Sequence, residues 1–450
     1  MISPEFLGCK EYKKRHGLQY AYATGGMYHG IASKELVAAM ANNGFIGFFG
    51  AGGLSIEKIE EAILFFKSKV QGTNYGINIL YNHIVSEKES TILDLILKYD
   101  IHNLEAASFA TITPELVRYR LKGIYRDNKG IVRTVNNLMA KISRKEVARI
   151  FMNPPPEEII NQLLSKGLID RAEALMGREI PVANEICVEA ESAGHTDRRS
   201  AIVTLPTILG LRNTLSIKNG YEEKICVGLA GGIGTPDAAL AAFVMGADFI
   251  LTGSINQCTI ESGAHPFVKE MLSKIGPEDT EFTPTGDMLE TDAKIQVLRK
   301  GLLFPARAKK LHEIYHKYNS LDELSVDEQD MLMERIFNDK TFEEVFDESK
   351  QYFSKETIVM AEKDKKVKMG LIFKMYFYMS IKNAYTGNVA EKVNFQIHIG
   401  AAMGAFNEYV SGTDLEDYKK RSAPVIAKKL LEDTTVKLEA FYKNLKINNQ

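Results

Sequence analysis

Residues 225–256 read ICVGLAGGIGTPDAALAAFVMGADFILTGSIN, and two glycine turns in this stretch each follow a short apolar run. The turns are GGIG at 231–234 and TGS at 252–254. Short apolar runs that alternate with helical patterns are typical of parallel strands joined by crossover helices. The stretch therefore predicts two consecutive strand-to-helix turns at the same edge of a parallel sheet.

The same alternation extends back along the chain and sets the expected fold class. Eight candidate strands lie at 18–24, 45–49, 75–81, 102–108, 138–143, 185–191, 224–230 and 248–253. Eight strands over roughly 250 residues are the usual size of a TIM (β/α)8 barrel, so we expect an α/β protein of that class. An open doubly wound sheet is the alternative.

The barrel does not use the whole chain. We expect residues 1–280 to form the barrel, with a helical insertion near 144–184, because that segment lengthens the connection before the sixth strand. Beyond about residue 280 helical periodicity replaces the strand-like runs. We therefore expect 281–450 to form a mainly helical accessory region that covers the substrate.

Bulk composition excludes several classes of protein. The 450 residues are 45% hydrophobic and 25% charged, with a net charge of −2, which argues against disorder and against a nucleic-acid or membrane-surface partner. The first residues contain no apolar segment of the kind a secretory signal needs, and the four cysteines are widely spaced. We expect a cytoplasmic protein with reduced thiols. The apolar stretch at 370–381 either forms a homodimer face or packs on the barrel.

The two glycine turns carry the first functional hypothesis. Gly231 and Gly232 would let the backbone approach a ligand, and Gly253 and Ser254 offer a second set of amides beside them. Such loops after the last two strands commonly bind phosphate in barrels of this class. Tight turns without a ligand are the other interpretation. A dinucleotide fingerprint is not met, because Asp237 stands where its third glycine should be.

Three polar residues lie at expected carboxyl ends of apolar strands, where a barrel builds its active site. They are Asn78, Lys141 and His195. Each alone is more often structural than functional. Together they place donors and a titratable group around one phosphate site, a combination that suits flavin mononucleotide, FMN.

Several separated blocks of sequence resemble the PfaD-like enoyl reductases of polyketide and polyunsaturated fatty acid synthases. This family is related to flavin-dependent enoyl reductases and to nitronate monooxygenases. The blocks are GGMYHGIASKELVAAMANNGFIGFFGAGGLS, YGINIL, AKISRKEVARIF, VEAESAGHTD, VGLAGGIGTPDAALAAFVMGADFILTGSINQ and NFQIHIGAAMGAFNEYV. They occur in order over nearly the whole chain.

The resemblance implies an activity and a set of partners. It implies an FMN-bearing TIM barrel that acts in trans and uses NADPH, or NADH, as the reductant. The substrate would be an enoyl thioester on an acyl carrier protein, whose α,β-double bond is reduced.

The resemblance also assigns residues. Gly26 and Met27 would lie under the flavin, and Asn78 and Lys141 would contact its polar edges. His195 would be the active-site histidine, acting as proton donor or only positioning a ligand. The phosphate would be held by Gly231, Gly232, Gly253 and Ser254. Glu189 and Glu191 are weaker candidates for an acid.

Other interpretations stay open. The same barrel could be a nitronate monooxygenase-type oxidase or a non-catalytic flavin-binding component of a synthase. The segment HEIYH at 312–316 matches a zinc-protease motif, but Leu311, Ile314 and Tyr315 form the apolar stripe of that helix, so we expect no metal site. The basic run at 118–133 is either a docking surface for an acidic carrier protein or a solvated loop.

Overall fold

A computed structural model describes residues 2–81, 86–194, 197–291 and 293–447. The described part of the chain contains twelve strands. They are β1 (Tyr22–Thr24), β2 (Ile46–Gly50), β3 (Tyr75–Leu80), β4 (Asn103–Ala107), β5 (Tyr125–Arg126), β6 (Val132–Arg133), β7 (Asn137–Ile142), β8 (Glu185–Glu189), β9 (Cys226–Ala230), β10 (Ile250–Thr252), β11 (Thr280–Pro284) and β12 (Lys294–Leu298).

Eight of these strands close into a parallel barrel in the order β1-β10-β9-β8-β7-β4-β3-β2. The closing pair is β1 with β10, where Thr24 lies opposite Thr252. Each of the eight strands expected from the sequence contributes one barrel strand, so the TIM-barrel fold class is confirmed. The strand residues are almost all buried, which explains why they read as continuous apolar runs.

Helices connect the strands and form the rest of the molecule. They are α1 (Lys10–His16), α2 (Lys34–Ala41), α3 (Ile56–Lys69), α4 (Ser86–Lys98), α5 (Pro114–Leu121), α6 (Lys145–Phe151), α7 (Glu157–Ser165), α8 (Arg171–Gly177), α9 (Ala201–Asn219), α10 (Pro236–Val244), α11 (Pro266–Leu272), α12 (Phe304–Lys317), α13 (Val326–Arg335), α14 (Phe342–Ser349), α15 (Lys355–Lys363), α16 (Lys365–Thr386), α17 (Ala402–Val410) and α18 (Ala423–Ile447). The side chains of Ser33, Ser55, Thr113 and Thr235 cap α2, α3, α5 and α10. Three helices, α6 to α8, occupy the expected insertion.

The amino-terminal helix α1 closes the end of the barrel where the strands begin. Tyr12 stacks on Phe249 with ring centroids 4.2 Å apart. His16 is buried and contacts Asn103 Oδ1 at 2.9 Å and Glu185 Oε1 at 2.5 Å. Polar groups at this end of a TIM barrel serve stability, because the active site is built at the opposite end.

The chain forms two compact units. One comprises Met1–Ser192, Thr196–Ala264 and Ala405–Gln450, and the other comprises Ala193–His195 and His265–Gly404. The division expected from the sequence, at residue 280, places the whole carboxyl end in the second unit, whereas Ala405–Gln450 belongs to the first. Helix α18 packs on α10, with Thr434 Oγ1 3.4 Å from the Pro236 carbonyl oxygen, so it belongs to the barrel unit.

The second unit corrects one expectation about secondary structure. Strand-like runs do not disappear after residue 280, since β11 and β12 pair as an antiparallel hairpin with Phe282 opposite Gln296. The segment KIQVL lies in a run whose periodicity predicts helix, but it forms β12, and four of its five residues are buried. The helices α12 to α16 pack around a separate apolar core.

The HEIYH segment lies on α12, and its apolar stripe is buried as expected. Leu311, Ile314 and Tyr315 belong to the core of the second unit, while Glu313 and His316 are exposed. Within the described ranges, no three His, Cys, Asp or Glu side chains lie close enough together to hold a metal ion. No helix in this part of the chain is long and apolar enough to cross a membrane.

Part of the basic run at 118–133 is buried, which excludes Arg120 from any docking surface. Arg120 is 1% exposed, and its guanidinium donates to Thr134 Oγ1 and to the carbonyl oxygens of Asn136 and Pro181. The run also connects α5 to β7, which places it at the amino-terminal face of the barrel, opposite the expected site. The docking interpretation was wrong for Arg120, because its guanidinium is buried and hydrogen-bonded to groups inside the fold.

We therefore expect Arg120→Met to destabilise the protein by about 2 kcal/mol or more, since buried carbonyl acceptors lose their donor. Urea unfolding followed by circular dichroism measures this. The matched control is Arg126→Met, because Arg126 is exposed and forms its ion pair with the exposed Glu179. The control should change the unfolding free energy by less than about 1 kcal/mol. Equal effects of the two substitutions would contradict the structural role.

Candidate functional site

The carboxyl ends of the barrel strands bring the expected site residues to one rim. The glycine turns follow the adjacent strands β9 and β10, and the Gly25-Gly26 turn follows β1, the next neighbour. On the other side, Asn78 of β3 lies in register with Glu105 of β4. Lys141 belongs to β7, which is next to β4. One rim therefore collects residues that are up to 228 positions apart in sequence, from Gly26 to Ser254.

Glu105 links two of these elements. Its Oε2 accepts a hydrogen bond from the Gly26 backbone N–H at 2.7 Å and another from Asn78 Nδ2 at 2.7 Å. The residue is fully buried. Because one carboxylate oxygen holds both the β1 turn and the β3 amide, it sets the position of each relative to the other.

Gly26 is required by this contact. A Cβ on Gly26 would overlap the Cβ of Asn78 and lie 2.9 Å from Glu105 Oε2. The neighbouring Gly25 is similarly confined, because its Cβ would lie 2.6 Å from a methyl of Leu251 and 3.4 Å from Glu105 Oε1. The glycines in this turn thus allow backbone to pack directly on Glu105 and Asn78.

A lysine and two carboxyl groups form the charged part of the rim. Lys141 Nζ lies 3.1 Å from Glu189 Oε1, and both side chains are about nine-tenths buried. Burial alone would lower the pKa of Lys141, but the charges of Glu189 and Glu105 outweigh it and raise that pKa. Burial also raises the pKa of Glu105, against the opposing effects of Lys141, Gly26 and Asn78. Lys141 is therefore a fixed cation shared by two carboxyl groups.

The glycine turns differ in what surrounds them. Gly231 and Gly232 both have left-handed backbones, with φ of 93° and 72°. A Cβ on Gly231 would collide with the backbone of Glu191, so this glycine serves loop packing. No heavy atom lies within 4 Å of a Cβ placed on Gly232 or Gly253. These two positions leave room for a ligand to approach the backbone.

The residues present fit a flavin mononucleotide on three counts. Open glycine amides adjoin the start of α10, whose free N–H groups favour a phosphate. Lys141 supplies a buried cation, which suits an electron-accepting ring. Within the described part of the chain, Glu105 Oε1 is buried without a hydrogen-bond partner, which leaves an acceptor for a ligand donor. Ser254 begins a short 3-10 helix beside Gly253.

His195, the expected catalytic residue, lies outside the described residues, as does Thr196. The residue that follows them is firmly held. Asp197 accepts hydrogen bonds of 2.7 Å from Ser143 Oγ and from Nε and Nη2 of Arg144. This bidentate pair joins the segment after β8 to the carboxyl end of β7.

Sequence reasoning missed Glu105, although the signal for it was present. The strand HNLEAAS places an acid between Leu104 and Ala106, which is the same pattern that singled out Asn78 and Lys141. The sequence indicated Glu189 only as a candidate acid. The structure instead pairs it with Lys141, and Ser192 Oγ donates to it at 3.0 Å.

Comparison with a family model identifies part of the second unit. Residues 318–395 match the model described as "[Acyl-carrier-protein] S-malonyltransferase, inserted helical domain". This match covers α13 to α16. The similarity therefore concerns the helical addition and not the barrel.

Known proteins resemble the chain over almost its full length. It is 46% identical over 438 residues to the polyketide biosynthesis protein PksE of Bacillus subtilis, which covers 97% of this chain and 57% of PksE. It is 38% identical over 417 residues to one component of the polyunsaturated fatty acid synthase of Thraustochytrium sp., which covers 91% of this chain and 28% of that component. The chain thus spans 57% or less of the length of these two relatives.

One solved structure matches almost the whole length of this chain. The enoyl reductase domain of MlnA, from the macrolactin biosynthesis cluster of Bacillus amyloliquefaciens, superimposes with a TM-score of 0.95 at 38% identity. The match includes 98% of this chain and 99% of that domain. The similarity therefore includes both the barrel and the helical unit.

Substitutions of two rim glycines should distinguish a structural role from a ligand-binding role. We expect Gly26→Ala to destabilise the protein by about 1–3 kcal/mol, because the new methyl group overlaps Asn78. We expect Gly253→Ala to change stability by less than about 1 kcal/mol, since its methyl group meets no protein atom, yet to weaken FMN binding. Thermal unfolding of the apoprotein and FMN titration measure the two effects. A Gly253→Ala variant that binds FMN normally would contradict the open-turn interpretation.

Proposed function

The chain belongs to the PfaD-like enoyl reductases of polyketide and polyunsaturated fatty acid synthases, and on that premise we propose that it reduces carrier-bound enoyl thioesters. The reaction converts an α,β-unsaturated thioester, a reduced nicotinamide and one proton into the saturated thioester and the oxidised nicotinamide. The cofactor is FMN, the reductant is NADPH or NADH, and the enzyme acts in trans on its carrier protein.

The observation that carries the proposal is the unequal distribution of polar groups around the rim. Glu105, Asn78, Lys141 and Glu189 cluster on adjacent strands, whereas open amides lie at the glycine turns after β9 and β10. A ligand with a phosphate at one end and a polar ring at the other matches this arrangement. FMN has that shape and polarity.

The protein contributes orientation and charge to the reaction. When bound, FMN supplies the two-electron chemistry that carries a hydride from a nicotinamide to a carbon–carbon double bond. Lys141 places a permanent positive charge at the ring end, where its burial keeps the field strong. Gly232 and Gly253 would donate backbone N–H groups to the phosphate, with Gly231 and Ser254 beside them.

We assign the proton step to His195. Addition of hydride at the β-carbon leaves negative charge on the thioester oxygen and the α-carbon, so a donor is needed at that position. The imidazolium N–H of His195 can donate to the α-carbon near neutral pH and be reprotonated by solvent. Two residues further along the chain, Asp197 is bonded to Ser143 and Arg144 after β7.

The partner follows from the family. The relatives are components of synthases, and the helical addition resembles a domain described for an acyl-carrier-protein malonyltransferase. A free small substrate gives no reason for such an addition. We therefore assign the acyl carrier protein as the substrate carrier, and the role of the helical region in covering the acyl chain stays a prediction.

The deciding experiment uses the purified full chain, loaded with FMN and reduced by NADPH under anaerobic conditions. Stopped-flow absorbance should show reoxidation by a crotonyl thioester of an acyl carrier protein, with stoichiometric formation of the butyryl thioester. A buffer arm runs in parallel, and a third arm mixes the enzyme holding oxidised FMN with a nitronate, which is an electron donor. Reduction of FMN by the nitronate without reoxidation by the thioester would favour a nitronate monooxygenase-type oxidase, and the absence of both reactions would favour a non-catalytic flavin component.

We expect His195→Asn to lower kcat with the crotonyl thioester by roughly 100-fold or more, because general acid catalysis contributes about that much. FMN affinity should change less than threefold. The measurement is steady-state NADPH oxidation combined with FMN titration. If instead KM rises while kcat is unchanged, His195 only positions the substrate.

A further inference from the structure

The two carboxylate oxygens of Glu105 have different surroundings. Oε2 accepts from Gly26 and Asn78, whereas Oε1 is buried and has no hydrogen-bond partner among the described residues. Leaving a buried acceptor unpaired is unfavourable, and more so for a charged group. Buried polar atoms in native proteins are nearly always paired, so an unpaired one at a binding rim indicates a missing ligand group.

The surrounding charges define what that ligand group is. Lys141 is already shared by Glu105 and Glu189, so the cluster holds two carboxyl groups and one ammonium. A phosphate or carboxylate placed here would meet like charge. A neutral hydrogen-bond donor is the complementary group. The phosphate of a flavin nucleotide is thereby directed to the glycine turns instead.

We propose that Glu105 is a cofactor-binding residue whose Oε1 accepts the hydrogen bond of the imide N–H of the flavin ring. This inference rests on the proposed flavin site. Oxidised isoalloxazine carries a single ring N–H, at N3, so one acceptor recognises it. Because Oε2 of the same carboxylate holds the Gly26 turn, the contact would couple ring recognition to the position of the β1 turn.

Glu105→Gln tests the contact without changing the shape of the side chain. The Oε2 position faces two donors, Gly26 N–H and Asn78 Nδ2, so the glutamine carbonyl oxygen is expected there. Its NH2 group then replaces Oε1. The substitution keeps the links to the β1 turn and to β3, and presents a donor where the wild-type protein presents an acceptor.

The experiment is a cycle with two proteins and two cofactors. Apoprotein is titrated with FMN and with FMN methylated at N3, which lacks the N–H, and binding is followed by quenching of flavin fluorescence. Wild-type protein should bind the methylated cofactor about 10- to 100-fold more weakly than FMN, as expected for a hydrogen bond to a charged acceptor. In Glu105→Gln this ratio should fall by at least about tenfold. The matched control, Glu146→Gln at an exposed position after β7, should retain the wild-type ratio.

The outcomes separate this inference from the proposed function. Equal ratios in wild type and Glu105→Gln overturn the role of Glu105, because steric bulk of the methyl group then explains any loss. A wild-type protein that binds FMN with the expected ratio but fails to reduce the thioester supports the contact and overturns the reductase proposal. A wild-type protein that binds no FMN overturns both. Thermal unfolding of each apoprotein shows whether Glu105→Gln is folded. If it is not, Glu105→Asp takes its place, because a carboxylate shorter by one methylene should withdraw from N3 and lower the ratio, and an unchanged ratio overturns the contact.

Discussion

The hydrogen bonds of one buried carboxylate oxygen hold the functional end of this barrel together. Glu105 Oε2 joins the turn after β1 to Asn78 on β3, although β2 separates those strands in the barrel. Both donors would be left unpaired if the carboxylate were absent, and the Gly26 turn packs so closely on it that no side chain fits between them. The positions of the β1 turn and of the polar strand ends therefore depend on this residue.

That carboxylate also requires its neighbours. A buried glutamate is costly unless a cation and donors compensate it, and Lys141 supplies the cation while being shared with Glu189. The members of the resulting cluster lie on adjacent barrel strands. Open amides and a helix start lie across the rim at the turns after β9 and β10. In the proposed function, this difference in polarity between the two sides of the rim would orient a bifunctional ligand.

Some features were predictable because they depend on local pattern. The eight apolar runs were readable as barrel strands because parallel strands are buried on both faces and are therefore mostly apolar. The caps of α2, α3, α5 and α10 are local in the same sense, since each is a Ser or Thr that accepts from a backbone N–H three residues further on. Other features were not. The β11–β12 hairpin was missed because a five-residue alternating run within a charged segment also fits a helix. The burial of Arg120 could not be predicted, because a sequence shows that a residue is charged but not whether it is buried.

The sequence by itself determined the barrel and which residues lie at the carboxyl ends of its strands, since strand number and the order of strand and turn place those ends at one face. Only the tertiary structure decided which glycines face protein and which face open space, and that Glu105 joins Gly26 to Asn78. Those distinctions depend on distances between residues about 27 to 79 positions apart. Such distances follow from barrel closure and register, which no local pattern of residues encodes.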